Sequence, residues 1–392
     1  MEFSRRTIIT GAALTLPAAA QRLIDLRLPG GPSKRPLEPA FPGKGDMITQ
    51  RIRPPVLETP MDVFDQRTIT PNKSFFVRWN WEFPTMIDAA EHRVVVRGAV
   101  KTPLQLTLDE IVRAGEHVEV VAVNQCAGNG RGFSQPRVTG TQWGNGAMGN
   151  ARWKGVRLRD VLDKAGIGKE ATRIRFAGLD KPPIDDAPQF IKSIPIDVAR
   201  RDDVLIAWNM NGEALPVLHG FPLRIVVPGW FSTYWVKMLN DIEVLTGEDD
   251  SYYVAKTYRM PIAPVTPSDK GFKTVPITTM PPRAFITSHA DGTVVKRGAP
   301  LELRGIAMGG DAGVAKVELD GGGLKATCAL GPEDGKFGFR RWSVQIPEIK
   351  GDLIGMGVRA TNMNGASQPY VQAWNPSGYA RDVVERISLK AV

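Results

Sequence analysis

The stretch Val118-Glu119-Val120-Val121-Ala122-Val123-Asn124-Gln125-Cys126-Ala127-Gly128-Asn129-Gly130-Arg131 changes character at its middle. Its first half is apolar and β-branched and reads as a strand. The second half sets glycines between a cysteine and an arginine and must turn, so Cys126 passes from a rigid strand onto a loop, a usual place for chemistry. Glycine at 128 and 130 leaves the backbone bare, which lets a large ligand approach closely. A thiolate presented there is the soft ligand that a redox metal prefers. An isolated loop cysteine is more often an inert thiol, so the surrounding sequence has to decide.

Upstream, His92-Arg93-Val94-Val95-Val96 reads as a strand, and Thr107-Leu108-Asp109-Glu110 is a capping box opening a short helix that ends before Gly115. Downstream, Val204 to Met210 and Leu223 to Val227 read as strands about an Asn211-Gly212 turn. Pro261, Pro264, Pro267, Pro276, Pro281 and Pro282 crowd one short stretch, which suits an extended linker and a domain boundary. Beyond it the period becomes two: Ala315, Val317 and Leu319 alternate with Lys316, Glu318 and Asp320, and Trp342, Val344 and Ile346 alternate with Arg341, Ser343 and Gln345. Short strands between Gly and Asp turns predict an immunoglobulin-like β-sandwich over 273–392. Residues 21–60, rich in Pro, Gly and Arg, are expected to form an extended arm lying over the domain or partly disordered. The domain that carries the cysteine loop is then 61–272, and the fold class is α+β, mostly β.

At 392 residues the chain exceeds one ordinary hydrophobic core, which favours two domains. Residues 1–20 read as a targeting segment: Arg5 and Arg6, an apolar run from Ile8 to Leu16, then Ala18-Ala19-Ala20. The order Ser4-Arg5-Arg6-Thr7-Ile8-Ile9 resembles a twin-arginine signal, which exports folded proteins to the periplasm. After residue 20 no apolar run reaches the roughly 20 residues of a membrane span, so no membrane insertion is expected. The net charge of +9 is spread without a basic tail, which argues against nucleic acid and for a surface that binds anions. Cys126 and Cys328 are the two cysteines; a bridge between them is disfavoured because they fall in different domains. No C-x-x-C-H is present, so no attached c-type haem is expected.

The loop Cys126-Ala127-Gly128-Asn129-Gly130-Arg131 and the block Asn145-Gly146-Ala147-Met148-Gly149-Asn150-Ala151-Arg152-Trp153-Lys154-Gly155-Val156-Arg157-Leu158 resemble the sulfite oxidase family of molybdopterin oxidoreductases. Phe75-Phe76-Val77-Arg78, Met210 to Pro216, His219 to Arg224, Val227-Pro228-Gly229 and Trp235-Val236-Lys237 extend the resemblance in the same order. It implies a molybdenum atom held by the dithiolene of one molybdopterin, by oxo or hydroxo groups, and by the Cys126 thiolate. It also implies oxidation of sulfite to sulfate, with electrons passed to an external periplasmic c-type cytochrome, and a homodimer made through the second domain. By position in the matching blocks, Asn80, Asn129, His219, Arg224, Ser232 and Lys237 would contact the cofactor. Arg78, Arg131 and Arg386 would hold the sulfite dianion, because planar guanidinium forks suit oxyanions. Trp143 would be a pocket wall and Tyr258 a hydroxyl donor, a place that Tyr252 or Tyr253 could also fill.

Two positions depart from the family pattern: Asn80 stands where a histidine is frequent, and Gly130 replaces a second basic residue. Both make the pocket less positive and bear on the choice of substrate. Two other readings remain at this stage, a molybdenum enzyme acting on oxidised methionine or another sulfur compound, and a secreted immunoglobulin-like binding module with a structural cysteine.

Overall fold

The computed structural model describes residues 21–392, so the targeting segment read in residues 1–20 lies outside the described residues. The cysteine-bearing strand runs His117–Gln125 and pairs antiparallel with Met148–Arg157, from His117 opposite Val156 to Gln125 opposite Met148. Its residues alternate in exposure at the start, and from Val121 onward all are buried. The change has a local cause. At Val123 the open edge of the strand is closed from the C-terminal half, where the Phe337 carbonyl accepts the Val123 N–H at 2.8 Å.

On its other side Met148–Arg157 pairs with Leu205–Met210. Asn211 and Gly212 turn the chain with φ of 57° and 85°, and Met210 then pairs with Glu213. The apolar strand read at Leu223 to Val227 is found as Arg224–Val226, which returns onto Leu205, Ile206 and Ala207. Between them the segment from Pro216 to Pro222 makes an excursion containing the short turn Val217–His219. That detour brings His219 next to Arg224.

A second sheet runs in the order Ile191–Pro195, Arg173–Gly178, Leu239–Leu245, Arg93–Gly98, Leu104–Thr107, with Leu239–Leu245 and Arg93–Gly98 parallel. The capping box is present at Thr107, whose N–H donates to Glu110 Oε2 at 2.8 Å while its Oγ1 accepts from the Glu110 N–H at 3.2 Å. Helix Leu158–Ala165 turns Leu158, Val161, Leu162 and Ala165 inward at helical spacing and ends at Gly166 in the left-handed conformation. One apolar core joins both sheets through Val94, Trp153, Phe176, Ile206 and Ile242. Each large side chain buried there contributes about 1.5–3 kcal/mol relative to exposure.

Residues 21–60 are not the loose arm that their composition suggests. They form the strands Leu23–Asp25, Lys34–Glu38, Met47–Arg51 and Val56–Glu58, and Val77–Arg78 completes an antiparallel sheet. Strands of three to five residues are too short to display a period, so the proline and glycine between them dominate the sequence signal. What fixes the sheet is burial of Met47, Leu57, Val77 and Trp79 in one apolar cluster.

The C-terminal half is a β-sandwich. One sheet holds Arg283–Ile286, Leu301–Met308, Arg340–Ile346 and Ala329–Leu330; the other holds Val294–Val295, Arg386–Ala391, Leu353–Asn362, Val314–Gly321 and Leu324–Thr327. Leu303, Ala307 and Trp342 face Val317, Leu319 and Val358 across the interior. The expected alternation fails at Ala315, which is exposed because a bulge between Val314 and Lys316 turns Val314 inward instead. The proline-rich stretch is also not wholly unpaired, since Arg259–Pro261 and Thr274–Pro276 form a ribbon. Both cysteines are buried and free, so the bridge is absent. A third apolar cluster joins Val123, Ala127 and Met148 to Phe285, Ile306 and Phe339, which places the cysteine loop at the seam between the halves.

Candidate active site

Backbone hydrogen bonds shape the loop around the thiol. The Cys126 N–H donates to Ala147 O at 2.9 Å, Asn129 N–H returns to Cys126 O at 3.0 Å, and Gly130 N–H reaches Gly144 O at 2.7 Å. Gly130 has φ of 81°, and a Cβ there would lie 2.5 Å from Arg381 Cδ. A side chain here would have to adopt the left-handed backbone and push the Arg381 side chain aside, which favours glycine in a place where a basic residue is frequent. The facing turn is held from below by Glu58, 1% exposed, which accepts the N–H groups of Gly144 at 3.1 Å and Gly146 at 2.9 Å. Burial pushes its carboxyl pKa up, and these hydrogen bonds work against that rise.

Cys126, itself 8% exposed, lies where two cavities meet; both are lined by Arg78, Cys126 and Tyr258. The deeper cavity is walled by Asn80, Asn124, Asp180, His219, Arg224, Ser232, Thr233 and Lys237 among others. Its cations rest on backbone carbonyls. Lys237 Nζ donates to Arg78 O at 2.6 Å, and Arg224 donates to His219 O at 3.0 Å and Trp235 O at 3.2 Å. Arg224 lies against Trp153 and Trp235, which themselves meet edge to face, with their ring centroids 4.8 and 5.7 Å from its guanidinium carbon. Burial lowers its pKa to about 9. Lys237 is lowered by burial and by neighbouring Arg224, and Asp180 is raised by burial. Inside this wall Arg224 Nε, Arg78 Nη1, Asn124 Nδ2 and Thr233 Oγ1 are buried without a partner. Unsatisfied buried donors around a cationic cavity are what a polyanionic ligand would pair with.

The second cavity, about 650 Å³, is lined by Arg131, Trp143, Ser377 and Tyr379 in addition to the shared residues. The Tyr258 and Tyr379 rings stack at 5.4 Å between centroids, and the Tyr258 hydroxyl points to Asn80 Oδ1 at 3.4 Å. Arg131 donates to Ser377 O at 2.7 Å and lies over the Tyr379 ring. Burial opposes the Arg78 charge, yet Tyr258, Cys126 and Tyr379 around it together hold its pKa above the ordinary value.

The structure thus gathers Arg78, Asn80, Cys126, Arg131, Trp143, His219, Arg224, Ser232, Lys237 and Tyr258 about one point. Tyr258 lines both cavities, whereas Tyr252 and Tyr253 line neither. Two expectations require correction. Arg386 is remote from both cavities: its guanidinium donates to Gly355 O at 2.5 Å and packs over Tyr370 on the sandwich, where the antiparallel pairing of Arg386 with Gly357 directs it. Asn129 lines neither cavity; it braces the loop, donating to Gln125 Oε1 at 3.1 Å and accepting the Ala147 N–H at 2.9 Å. The sandwich does reach the site, through Ser377 and Tyr379. The sequence reading missed that loop, although Asn375-Pro376-Ser377-Gly378 is a turn signal that could have found it, and Asn375 Oδ1 accepts the Tyr379 N–H at 3.0 Å. Nothing in the sequence marked Lys44, whose Nζ lies 2.6 Å from His219 Nε2 and donates to Asn72 O and Phe75 O.

Burial lowers Lys44 to about 7, and Lys192 likewise. Unfolded lysine titrates near 10.5, so from pH 7 upward the unfolded chain binds more protons and stability rises with pH. Cofactor-free protein should melt at a higher temperature at pH 9 than at pH 7; a flat or falling melting temperature over that window would show that these amines stay charged when buried.

Among the described residues no group of three His, Cys, Asp or Glu side chains is arranged to hold a metal ion. One soft thiol beside a cationic cavity fits a metal that brings most of its own ligands on an anionic cofactor.

The sequence model of the family "Oxidoreductase molybdopterin binding domain" matches residues 80–253. Mitochondrial sulfite oxidase of Rattus norvegicus is 32% identical over 382 residues, covering 91% of this chain and 69% of the rat protein. Sulfite oxidase of Arabidopsis thaliana is 32% identical over 326 residues, covering 79% of this chain and 82% of the plant protein. The chain spans about two thirds of the length of the mammalian mitochondrial relatives. In fold it is similar to the sulfane dehydrogenase SoxCD from Paracoccus pantotrophus, with a TM-score of 0.74, 22% identity, and coverage of 99% of this chain and 93% of that one.

Proposed function

The chain belongs to the sulfite oxidase family of molybdopterin oxidoreductases, and from that premise we propose that it oxidises sulfite to sulfate at a molybdenum centre bound through Cys126. The observation that carries this reading is the meeting of a buried cationic cavity and an open arginine-lined cavity at Cys126, Arg78 and Tyr258. Molybdopterin, when bound, supplies the two-electron redox change. Arg224, Lys237, Ser232 and His219 would hold its pterin and phosphate, with Arg224 oriented by the carbonyls of His219 and Trp235 and packed against two tryptophans. Arg78 and Arg131 would hold the oxyanion through charge-assisted hydrogen bonds, and the Tyr258 hydroxyl would add a donor beside them. Trp143 and the stacked pair Tyr258 and Tyr379 would wall the oxyanion's cavity.

Electrons would leave to a separate c-type cytochrome, because the chain carries no haem-attachment motif. The excess of basic residues favours an acidic face on that partner. The paired Arg5 and Arg6 support export of the folded holoenzyme to the periplasm. Among the described residues no helix is long and apolar enough to cross a membrane. The same reading includes a homodimer through the sandwich, as the family resemblance implies.

Metal analysis of purified protein, followed by anaerobic assay with sulfite and oxidised cytochrome c, tests the reading. About one molybdenum per chain and sulfite-dependent reduction of the cytochrome are expected. Full molybdenum loading with no turnover of sulfite would transfer the assignment to another sulfur compound.

A further inference from the structure

The N-terminal sheet does more than cover the domain, because its residues Arg35, Gln50 and Arg51 line the same open cavity as Arg78, Cys126 and Arg131. Among the described residues, none of these four arginines forms an ion pair with a carboxylate, although many arginines elsewhere do so. Arg51 is repelled by Arg78 and Arg35 by Arg137, with Glu82 and Glu58 opposing that repulsion without pairing directly, so an anion placed among the guanidinium groups would still be favoured.

The outer pair is also built rather than loose. Arg35 Nε donates to Gln50 Oε1 at 3.0 Å, and Gln50 Nε2 donates in turn to buried Glu58 at 2.9 Å. Arg51 donates to Pro54 O at 3.1 Å through Nε and to Trp79 O at 3.4 Å through Nη2, next to Arg78 in the chain. Both guanidinium groups are thereby oriented while keeping donors free for a ligand. Gln142, held by Arg137 and by its own bonds to Val138 O and Gly140 O, faces them across the cavity. The volume of about 650 Å³ leaves ample room for a second small anion, given that one water occupies roughly 30 Å³ of liquid.

We propose that Arg35 and Arg51 form an outer oxyanion subsite at the mouth of this cavity, which captures a divalent sulfur oxyanion before it reaches Arg78 and Arg131 beside Cys126. The inference rests on the reading of the inner site as the place where a sulfur oxyanion is handled. The outer pair raises the local concentration of the dianion and provides a halting place for sulfate on its way out. Its contribution is to entry, so its loss falls on kcat/KM more than on kcat.

Sulfate binding to the purified holoenzyme, followed by calorimetry, tests the subsite without turnover. Wild-type protein should bind sulfate in two steps, and the double variant Arg35→Gln/Arg51→Gln should retain only one. The single variant Arg51→Gln, at an exposed position that should tolerate it, should weaken one step by about tenfold, as expected for loss of one charge-assisted contact. With sulfite as substrate the same variants should raise KM and flatten its dependence on ionic strength. Sulfate binding of wild-type stoichiometry and affinity in both variants would overturn the proposal, even if sulfite turnover is confirmed. Loss of one sulfate step in a protein that does not turn over sulfite would leave the subsite standing and remove the substrate assignment instead.

Discussion

Replacing Cys126 by Ser is expected to reduce sulfite oxidation to less than roughly a tenth of the wild-type rate while leaving the fold and the pterin content nearly unchanged, because a hard hydroxyl replaces a soft thiolate toward the metal. The substitution changes one atom at a residue that is already 8% exposed. The loop around it is held by backbone bonds from Cys126 to Ala147 and from Asn129 to Cys126, none of which involves the sulfur. Stability should therefore fall by no more than about 1–3 kcal/mol, the range for a buried hydroxyl left without a partner. Pterin content by fluorescence after release, molybdenum by elemental analysis and anaerobic turnover together decide the matter. Turnover above a tenth of wild type with full metal content would remove Cys126 from the metal.

The second large effect lies in stability. Arg283, 0% exposed, opens the first strand of the sandwich and reaches into the seam, donating to Glu385 Oε1 at 2.9 Å and Asn145 Oδ1 at 3.0 Å, with Gln125 Oε1 at 3.5 Å. Burial pulls its pKa down to about 10 and Glu385 opposes that fall, so the guanidinium keeps its charge. Glu385 also accepts two hydrogen bonds from Arg381, at 2.7 and 3.0 Å. Glu385→Leu would leave the Arg283 charge buried beside Asn145 and Gln125 alone. Removing one partner of a buried pair costs about 3–5 kcal/mol, because the remaining charge is neither paired nor hydrated. At roughly 2–4 °C per kcal/mol for domains of this size, the melting temperature should fall by on the order of 10 °C. The companion double variant Arg283→Met/Glu385→Leu should recover much of the loss. A single variant that melts with the wild type would mean that water reaches the seam.

Much of the fold could be read from the chain because it is carried by local signals. The capping box at Thr107 and Glu110, the Asn211-Gly212 turn and the alternation through Val317 and Leu319 each depend on neighbours within a few residues. Cys126 was legible for the same reason, at the turn that ends its strand, whereas Arg131 and Arg224 were placed by the family resemblance. Short strands were not, since Leu23–Asp25 and Val56–Glu58 owe their existence to partners across the sheet rather than to their own pattern. Arg386 was misplaced because charge alone cannot say which face of a strand points to the site, whereas its pairing opposite Gly357 can. Lys44 and Glu58 were invisible because burial of a charged residue is decided entirely by distant atoms, the carbonyls of Asn72 and Phe75 in one case and the amides of Gly144 and Gly146 in the other.

The carboxylate of Glu58 carries a consequence for modularity. The shared family segment begins at residue 80, yet the turn that accepts the Cys126 N–H is pinned by residue 58 and braced from the opposite side by Arg283 and Glu385. A fragment cut to the family segment would contain the thiol and most of the cofactor cavity but neither of the supports that hold their loop in register. The smallest self-sufficient piece therefore runs from the N-terminal sheet nearly to the C-terminus, and the two halves are not exchangeable cassettes. A chimaera joined in the proline-rich stretch would need a matching arginine and glutamate from the same parent, and an amino-terminal fusion would have to leave the first short strands free to dock. Evolution of this chain by shuffling is correspondingly constrained, since a new sandwich would arrive without the residues that complete the seam.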